Sequence, residues 1–253
     1  MIPISKPPTL FIRNAHLAFD NTILFNELNL TLPGGKWTCL LGPSGVGKSS
    51  LLRLIANLSS DNTQISAKIT TDANQPIDDL IAYMAQTDLL LPWLSVLENV
   101  LLGSRLRGDR APPKEEALAL LAEVGLEKAA GRLPRDLSGG MRQRVALVRT
   151  LLQDKPIVLM DEPFSALDAI TRFKLQNLAA RLLQDKTVFL VTHDPVEALR
   201  LADEIVIMSG VPATLHSPIS FETPRPRDAA SPEVISLQAA LFYELSKAHE
   251  ASV

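Results

Sequence analysis

Trp37-Thr38-Cys39-Leu40-Leu41-Gly42-Pro43-Ser44-Gly45-Val46-Gly47-Lys48-Ser49-Ser50 is the stretch that decides the fold. Its first five residues, Trp37 to Leu41, form a continuous uncharged run that suits a strand buried on both faces. Three glycines in six residues follow it, and then residues 49–58 carry leucines and an isoleucine at helical spacing. Strand, glycine loop and helix therefore come in that order. Residues 42–49 fit G-x-x-x-x-G-K-[ST], a phosphate-binding loop. Its glycines let backbone N–H groups aim at phosphate oxygens, Lys48 adds a point charge near the β/γ-phosphates, and the Ser49 hydroxyl can ligate Mg²⁺. Gly42, Pro43, Ser44, Gly45, Val46, Gly47, Lys48, Ser49 and Ser50 are the candidate nucleotide contacts.

Upstream, apolar runs at 10–12, 22–25 and 28–32 alternate with turn signals and end at Pro33-Gly34-Gly35, the pattern of half-buried strands. Residues 61–80 are polar, with turns marked at Asp61-Asn62 and Asp72-Ala73-Asn74, and read as short antiparallel strands. From 96 to 137 the period is helical, including an amphipathic helix over 115–124 after Pro112-Pro113. Strand-like runs recur at 157–160, 187–191 and 205–208. The expectation is an α/β fold: a P-loop NTPase core with a mostly parallel sheet, an N-terminal antiparallel β part and an inserted helical subdomain. Residues 1–88 and 141–215 would form the core, 89–140 the helical subdomain, and 216–253 a short C-terminal tail.

Composition limits the function. The chain has 253 residues and a formal charge of −3, from 25 Lys and Arg against 28 Asp and Glu. A pI of about 5.8 argues against a protein whose task is neutralising a nucleic-acid backbone. The single cysteine, Cys39, excludes an internal disulfide and a multi-cysteine metal site. The longest stretch without Asp, Glu, Lys or Arg, 205–221, is broken by Gly210, Pro212 and Pro218, so no membrane span is expected. The N-terminus lacks a basic region followed by an apolar one, so no secretory signal is expected. Mean hydropathy is nevertheless +0.13, apolar for a chain without a span.

A second chemical signal is Ile157-Val158-Leu159-Met160-Asp161-Glu162, an apolar strand delivering two adjacent carboxylates. Ligands of open α/β sheets bind at that end of a strand. Asp161 would hold the Mg²⁺ shell and Glu162 would polarise an attacking water.

Leu137-Ser138-Gly139-Gly140-Met141-Arg142-Gln143-Arg144 resembles the Leu-Ser-Gly-Gly-x signature of the ATP-binding-cassette family. The resemblance spans nearly the whole chain. It implies that Gln86 is the Gln-loop residue, contacting Mg²⁺ or the water. Ser165-Ala166-Leu167-Asp168 is similar to the D-loop that crosses the dimer interface, and His193, in Val-Thr-His-Asp, resembles the switch histidine at the γ-phosphate. His16, His216 and His249 are read as structural. Phe19 stands where the family has an adenine-stacking aromatic, with Phe25 as a competitor. In the family two cassettes pair head to tail, so Ser138, Gly139 and Gly140 would complete the ATP site of a second copy or of a related ATPase. The implied ligands are ATP and Mg²⁺, and the implied activity is ATP hydrolysis.

Repair and chromosome-organising cassettes separate loop and signature by hundreds of residues, whereas Lys48 and Ser138 are about 90 apart. Translation-factor cassettes carry two copies per chain. A transport ATPase is expected, with its membrane pathway on separate permease subunits docking near Leu89 to Trp93 and an extracytoplasmic solute-binding protein acting indirectly. Leu90-Leu91-Pro92-Trp93 with Glu98-Asn99-Val100, and the Pro224-Arg225-Pro226-Arg227-Asp228 tail, resemble the importer branch for nitrate, sulfonates, taurine and hydroxymethylpyrimidine-type precursors. The resemblance thus implies a cytoplasmic protein, peripheral on the inner face of the membrane, with no nucleic-acid partner. An exporter or lipoprotein-release ATPase is the alternative within transport.

Overall fold

A computed structural model describes residues 6–19, 22–58, 63–72, 76–108 and 114–250. Strands β1 (Leu10–Phe19) and β2 (Thr22–Leu32) pair antiparallel. After β3 (Trp37–Leu41) and helix α1 (Lys48–Ile55), β4 (Thr63–Thr71) returns to the other side of β1, giving a three-stranded sheet β2-β1-β4. Strand β5 (Ile81–Met84) leads into α2 (Val96–Val100), α3 (Leu102–Arg107), α4 (Lys114–Glu123) and α5 (Gly139–Leu151). Then come β6 (Ile157–Asp161), α6 (Ala169–Leu182), β7 (Thr187–Val191), α7 (Pro195–Leu201) and β8 (Glu204–Ser209). Two short strands, β9 (Thr214–Leu215) and β10 (Ile219–Ser220), run antiparallel to β8, and α8 (Pro232–Glu250) follows.

The second sheet has the order β10-β8-β3-β7-β6-β5, and β8, β3, β7, β6 and β5 are all parallel. Its two faces bury different cores. Trp37, Cys39, Leu41, Val158, Met160, Val188 and Leu190 pack with residues of α5, α6 and α7. The alternate positions Leu40, Ile157, Leu159, Phe189 and Val191 pack with α1 and the antiparallel sheet. A strand covered on both sides gains from an apolar residue at every position, which is why β3, β6 and β7 read as unbroken runs. Among the described residues no helix is long and apolar enough to cross a membrane.

Four expectations change in detail. The separate runs at 10–12, 22–25 and 28–32 are parts of two long strands whose register shifts at bulges. Asn14 and Glu27 stand there at φ 50° and 51°, and the Asn29 side chain ties the bulges together: its Oδ1 accepts from the Asn14 N–H and its Nδ2 donates to the Glu27 carbonyl. A bulge adds a residue and breaks the period of two, so the pattern seems to stop where the strand does not. Instead of several strands, 61–80 holds one, β4, on the edge of its sheet with alternate residues in solvent, followed by a 3₁₀ turn at Ile77–Asp79. The turn signals at 61–62 and 73–74 and the Pro112-Pro113 helix start lie wholly or partly outside the described residues. The helix expected over 49–58 ends at Ile55, with Asn57 left-handed at φ 56°. Finally, the segment read as a tail carries α8, which buries Val234, Leu241 and Ala248, one residue every two turns.

Helix α7 is capped by Asp194, which accepts from the N–H groups of Val196 and Glu197. Glu197 is buried against α6, accepting a hydrogen bond from Gln176, and burial, with Asp194 adding to it, pushes its carboxyl up to about 8. The other charged or titratable groups around it are Arg172, Arg200 and the Cys39 thiol. Between its ordinary 4.5 and about 8 the folded chain binds a proton that the unfolded chain has released. Its contribution to stability is therefore full below the unfolded value and is lost as pH rises through the folded one. Glu197→Gln should flatten this dependence, so that its stability relative to wild type grows with pH by up to about 1.4 kcal/mol per unit. Urea unfolding across that window checks this, and parallel stability curves for the two proteins would contradict it.

Candidate functional site

The order β3-β7-β6-β5 places four parallel strands side by side with their C-terminal ends at one edge. Each end delivers one part of the sequence-derived set: the glycine loop after β3, His193 after β7, Asp161 and Glu162 at the end of β6, and Gln86 after β5. The glycine loop is fixed by close approach. A Cβ on Gly42 would lie 2.2 Å from the Met208 carbonyl oxygen of β8, and Gly47 caps α1 at φ 112°, a conformation L side chains rarely adopt. The loop's N–H groups and the start of α1 thus form a site with positive potential.

Lys48 Nζ donates to the carbonyls of Gly42 and Pro43, both at 2.8 Å, and so lies along the loop. Burial pulls its pKa down, against the opposing influence of Glu162 and Asp161. Ser49 Oγ donates to Asp161 Oδ1 at 3.0 Å. Asp161 is wholly buried, and burial raises its pKa against the Ser49 hydrogen bond. Its Oδ2 has no hydrogen-bond partner among the described residues. A hydroxyl beside a carboxylate with one oxygen unused is a set of hard oxygen donors that fits Mg²⁺.

Glu162 adjoins Asp161 and has φ 47°, an uncommon conformation for a residue with a side chain. Its backbone is held on both sides. Its N–H donates to the Val191 carbonyl at 2.9 Å, and its carbonyl accepts from Gln143 Nε2 and Ser165 Oγ, each at 3.0 Å. Oε2 then meets Gln86 Nε2 at 3.3 Å and His193 Nδ1 at 3.2 Å. Gln143 was not singled out from sequence. It is buried on α5, and its Oε1 also accepts from the Ala166 N–H at 2.9 Å, joining the signature helix to the segment after Glu162. Its partners are mostly backbone groups, which leave no residue pattern to read.

Other members of the set stand apart. Ser138 caps α5, accepting from the Met141 N–H, and Ser138 and Gly139 are exposed. Gly140 approaches the Ala166 carbonyl so closely that a Cβ would lie 3.1 Å from it. Asp168 is exposed and caps α6 by accepting from the Thr171 N–H, which holds its carboxyl below the usual range. Among the described residues no hydrogen bond or ion pair joins residues 138–140 to Lys48, Ser49, Asp161 or Glu162. Ser44 and Gly45 are exposed, Val46 is buried, and Pro43 and Ser50 are half-buried. At the end of β1 Phe19 is 38% exposed, whereas Phe25 is fully buried in the core. His16 pairs with Asn26 and His216 with Ser209; the His249 side chain lies outside the described set.

Leu89 and Trp93 are 61% and 70% exposed. Asn99 fixes the segment between them and α2: its amide donates to the carbonyls of Leu91, Leu94 and Ser95, and its Oδ1 accepts from the Leu91 N–H. On the Gln86 side, Asp88 pairs with Arg142 at 2.9 Å, and Arg149 donates to the carbonyls of Asp88 and Leu89. Both arginines are on α5, so the exposed apolar pair is tied to the signature helix.

Residues 25–165 match the sequence profile of the ABC transporter family. An uncharacterized ABC transporter ATP-binding protein of Haemophilus influenzae is 44% identical over 239 residues, 92% of this chain and 97% of that protein. The aliphatic sulfonates import ATP-binding protein SsuB 1 of Pseudomonas syringae pv. syringae is 40% identical over 94% of this chain and 96% of its own length. Among solved structures, the dimeric post-hydrolysis state of the ATP-binding cassette MJ0796 bound to ADP and Pi superposes with a TM-score of 0.73 at 27% identity, covering 85% of this chain and all of that one. With the loop, the paired carboxylates and their flanking Gln and His on neighbouring strand ends, these likenesses show that the chain belongs to the ABC transporter family.

Proposed function

We propose that this ABC ATPase powers an importer for a small solute, binding ATP at residues 42–50 and hydrolysing it with Glu162 as general base. The observation that carries the reading is the meeting of Gln86, Glu162 and His193 beside the Lys48, Ser49 and Asp161 cluster. Lys48 and the loop N–H groups hold the phosphates. Ser49 and Asp161, with Gln86 close by, would hold Mg²⁺, which would supply charge neutralisation for the phosphates. Glu162 Oε2, positioned by its two neighbours, accepts a proton from the attacking water, and His193 contacts the γ-phosphate. Phe19, accessible where Phe25 is not, stacks on the adenine.

Ser138 and Gly139 face solvent, so the signature is free to complete the site of a second copy head to tail, with Gly140 in the turn behind them and Asp168 near the interface. The related cassette MJ0796 is described as dimeric. Residues 89–140 are the unit that carries the signature and the docking surface, set on a core of 1–88 and 141–215, with 216–253 as a C-terminal segment. Leu89 and Trp93 receive an apolar segment of a permease subunit, a contact with an aromatic anchor. Their ties to Gln86 through Asp88 and α5 pass the nucleotide state to that partner. On this reading the chain works at the cytoplasmic face of a membrane, with a solute-binding protein outside. Relatives named for aliphatic sulfonate import favour a sulfonate within the class of sulfonate, nitrate, taurine and hydroxymethylpyrimidine-type solutes.

Three outcomes test the reading. Lys48→Ala should abolish tight ATP binding in calorimetry, and unchanged affinity would refute its phosphate role. Glu162→Gln should bind ATP, lose about 10²-fold or more of its phosphate release, and accumulate as an ATP-locked dimer on size exclusion. Turnover at the wild-type rate would refute the general base. Trp93→Glu should keep ATP affinity but fail to co-purify with the membrane permease that the wild-type chain captures, and normal co-purification would move the docking surface elsewhere.

A further inference from the structure

Helices α6 and α7 are bridged by a row of polar side chains. Nearest the nucleotide side, Arg172 pairs with Asp194 at 3.2 Å. One turn on, Gln176 Nε2 donates to Glu197 Oε2 at 3.4 Å. Beyond that, Arg200 donates to Gln176 Oε1 and to Asn177 Oδ1. Gln176, Glu197 and Arg200 are all buried. The last rung comes from the C-terminal segment. Arg227, 5% exposed, donates through Nη1 to the carbonyls of Leu199 and Ala202 at 2.9 and 2.7 Å, in the last turn of α7 and at its C-cap. Its N–H donates to the Arg200 carbonyl and its own carbonyl accepts from Arg200 Nε. Thr223 holds the guanidinium from the other side, and the Phe221 ring lies 4.6 Å from it.

An apolar seam of the same shape would be as stable or more so, because buried charges cost desolvation. Directional bonds instead permit few placements of one helix along the other. What they place is chemical: α6 begins at Asp168, and α7 starts directly after His193 and Asp194. Seven residues at ~1.5 Å each put the two ends of α7 only about 10 Å apart. Leu245 of α8 also lines a cavity of about 140 Å³ together with Gly42, Pro43 and His193. The C-terminal segment thus meets α7 at its far end and borders the nucleotide side at its near end.

We propose that Arg227 is a positioning residue for ATP hydrolysis, fixing the far end of α7 and so the place of His193 against Glu162. The inference rests on the roles given above to those two residues. The test uses the full chain as wild type, Arg227→Ala, Arg227→Lys, Gln176→Leu and Glu162→Gln, each assayed well below its own unfolding midpoint. Arg227→Ala should lower kcat about tenfold or more, as expected for lost orientation, with ATP affinity within about twofold of wild type. Arg227→Lys, which keeps a donor for the α7 carbonyls but loses the Nε and Nη2 bonds that tie the side chain to Thr223, should fall between. If Arg227→Ala does not fold, Gln176→Leu opens the same seam from α6 and should show the same split between kcat and affinity. An unchanged kcat in the folded variants, or a kcat that falls only with ATP affinity and folded fraction, would overturn the proposal. Glu162→Gln separates the two readings: if it still turns over, the site itself is misassigned, whereas an inactive Glu162→Gln beside a fully active Arg227→Ala defeats this inference alone.

Discussion

Burial of the parallel sheet on both faces is the constraint from which the rest of the molecule follows. With β3, β7 and β6 buried along their whole length, chemistry is confined to the strand ends. Because β3, β7, β6 and β5 are parallel and adjacent, their C-terminal ends open on one edge, and residues from positions 42 to 193 meet there. Of the helices α5, α6 and α7 that cover one face, α7 begins directly after His193 and Asp194, and α5 reaches Glu162 through Gln143. Covering the sheet and positioning the site are one task.

At the centre of that edge Glu162 is held in a left-handed conformation by hydrogen bonds to both its N–H and its carbonyl. A strained residue persists only where its surroundings over-determine it. Here they include β7 through Val191, α5 through Gln143, and Ser165 in the segment leading to Asp168. Glu162 is therefore connected through short hydrogen-bonded paths to helix α5 and to the segment leading to Asp168. The same helix α5 reaches Asp88 and Leu89 through Arg142 and Arg149, on the way to exposed Trp93. Nucleotide, second copy and permease would thus act on one rigid element.

Legibility in the sequence followed the kind of partner each residue has. The phosphate loop was readable because the backbone approach at Gly42 and the left-handed cap at Gly47 demand glycine. Asp161 and Glu162 stood out because an unbroken apolar run must be a strand buried on both faces, and the carboxylates end it. Gln143 and Arg227 left no trace as functional residues, since they act largely on main-chain carbonyls that any sequence supplies. The long β1 and β2 were hidden by bulges, where the period of two slips at Asn14 and Glu27. In α8 the buried positions, every seventh residue, are flanked by exposed Ile235, Phe242 and Tyr243, which blurs the amphipathic pattern. The high mean hydropathy of a chain with no span among its described residues now has a cause in its two-sided core.

If the site is shared between copies, ATP held by Lys48 of one copy would be hydrolysed only when Ser138 of another closes over it. Mixing two inactive variants, Lys48→Ala and Ser138→Arg, tests this most directly, because a mixed dimer contains one site with an intact loop and an intact signature. The account predicts that phosphate release, absent from each variant alone, reappears on mixing and rises with the fraction of mixed dimers. A mixture that stays inactive while both variants are folded and Ser138→Arg still binds ATP would contradict it.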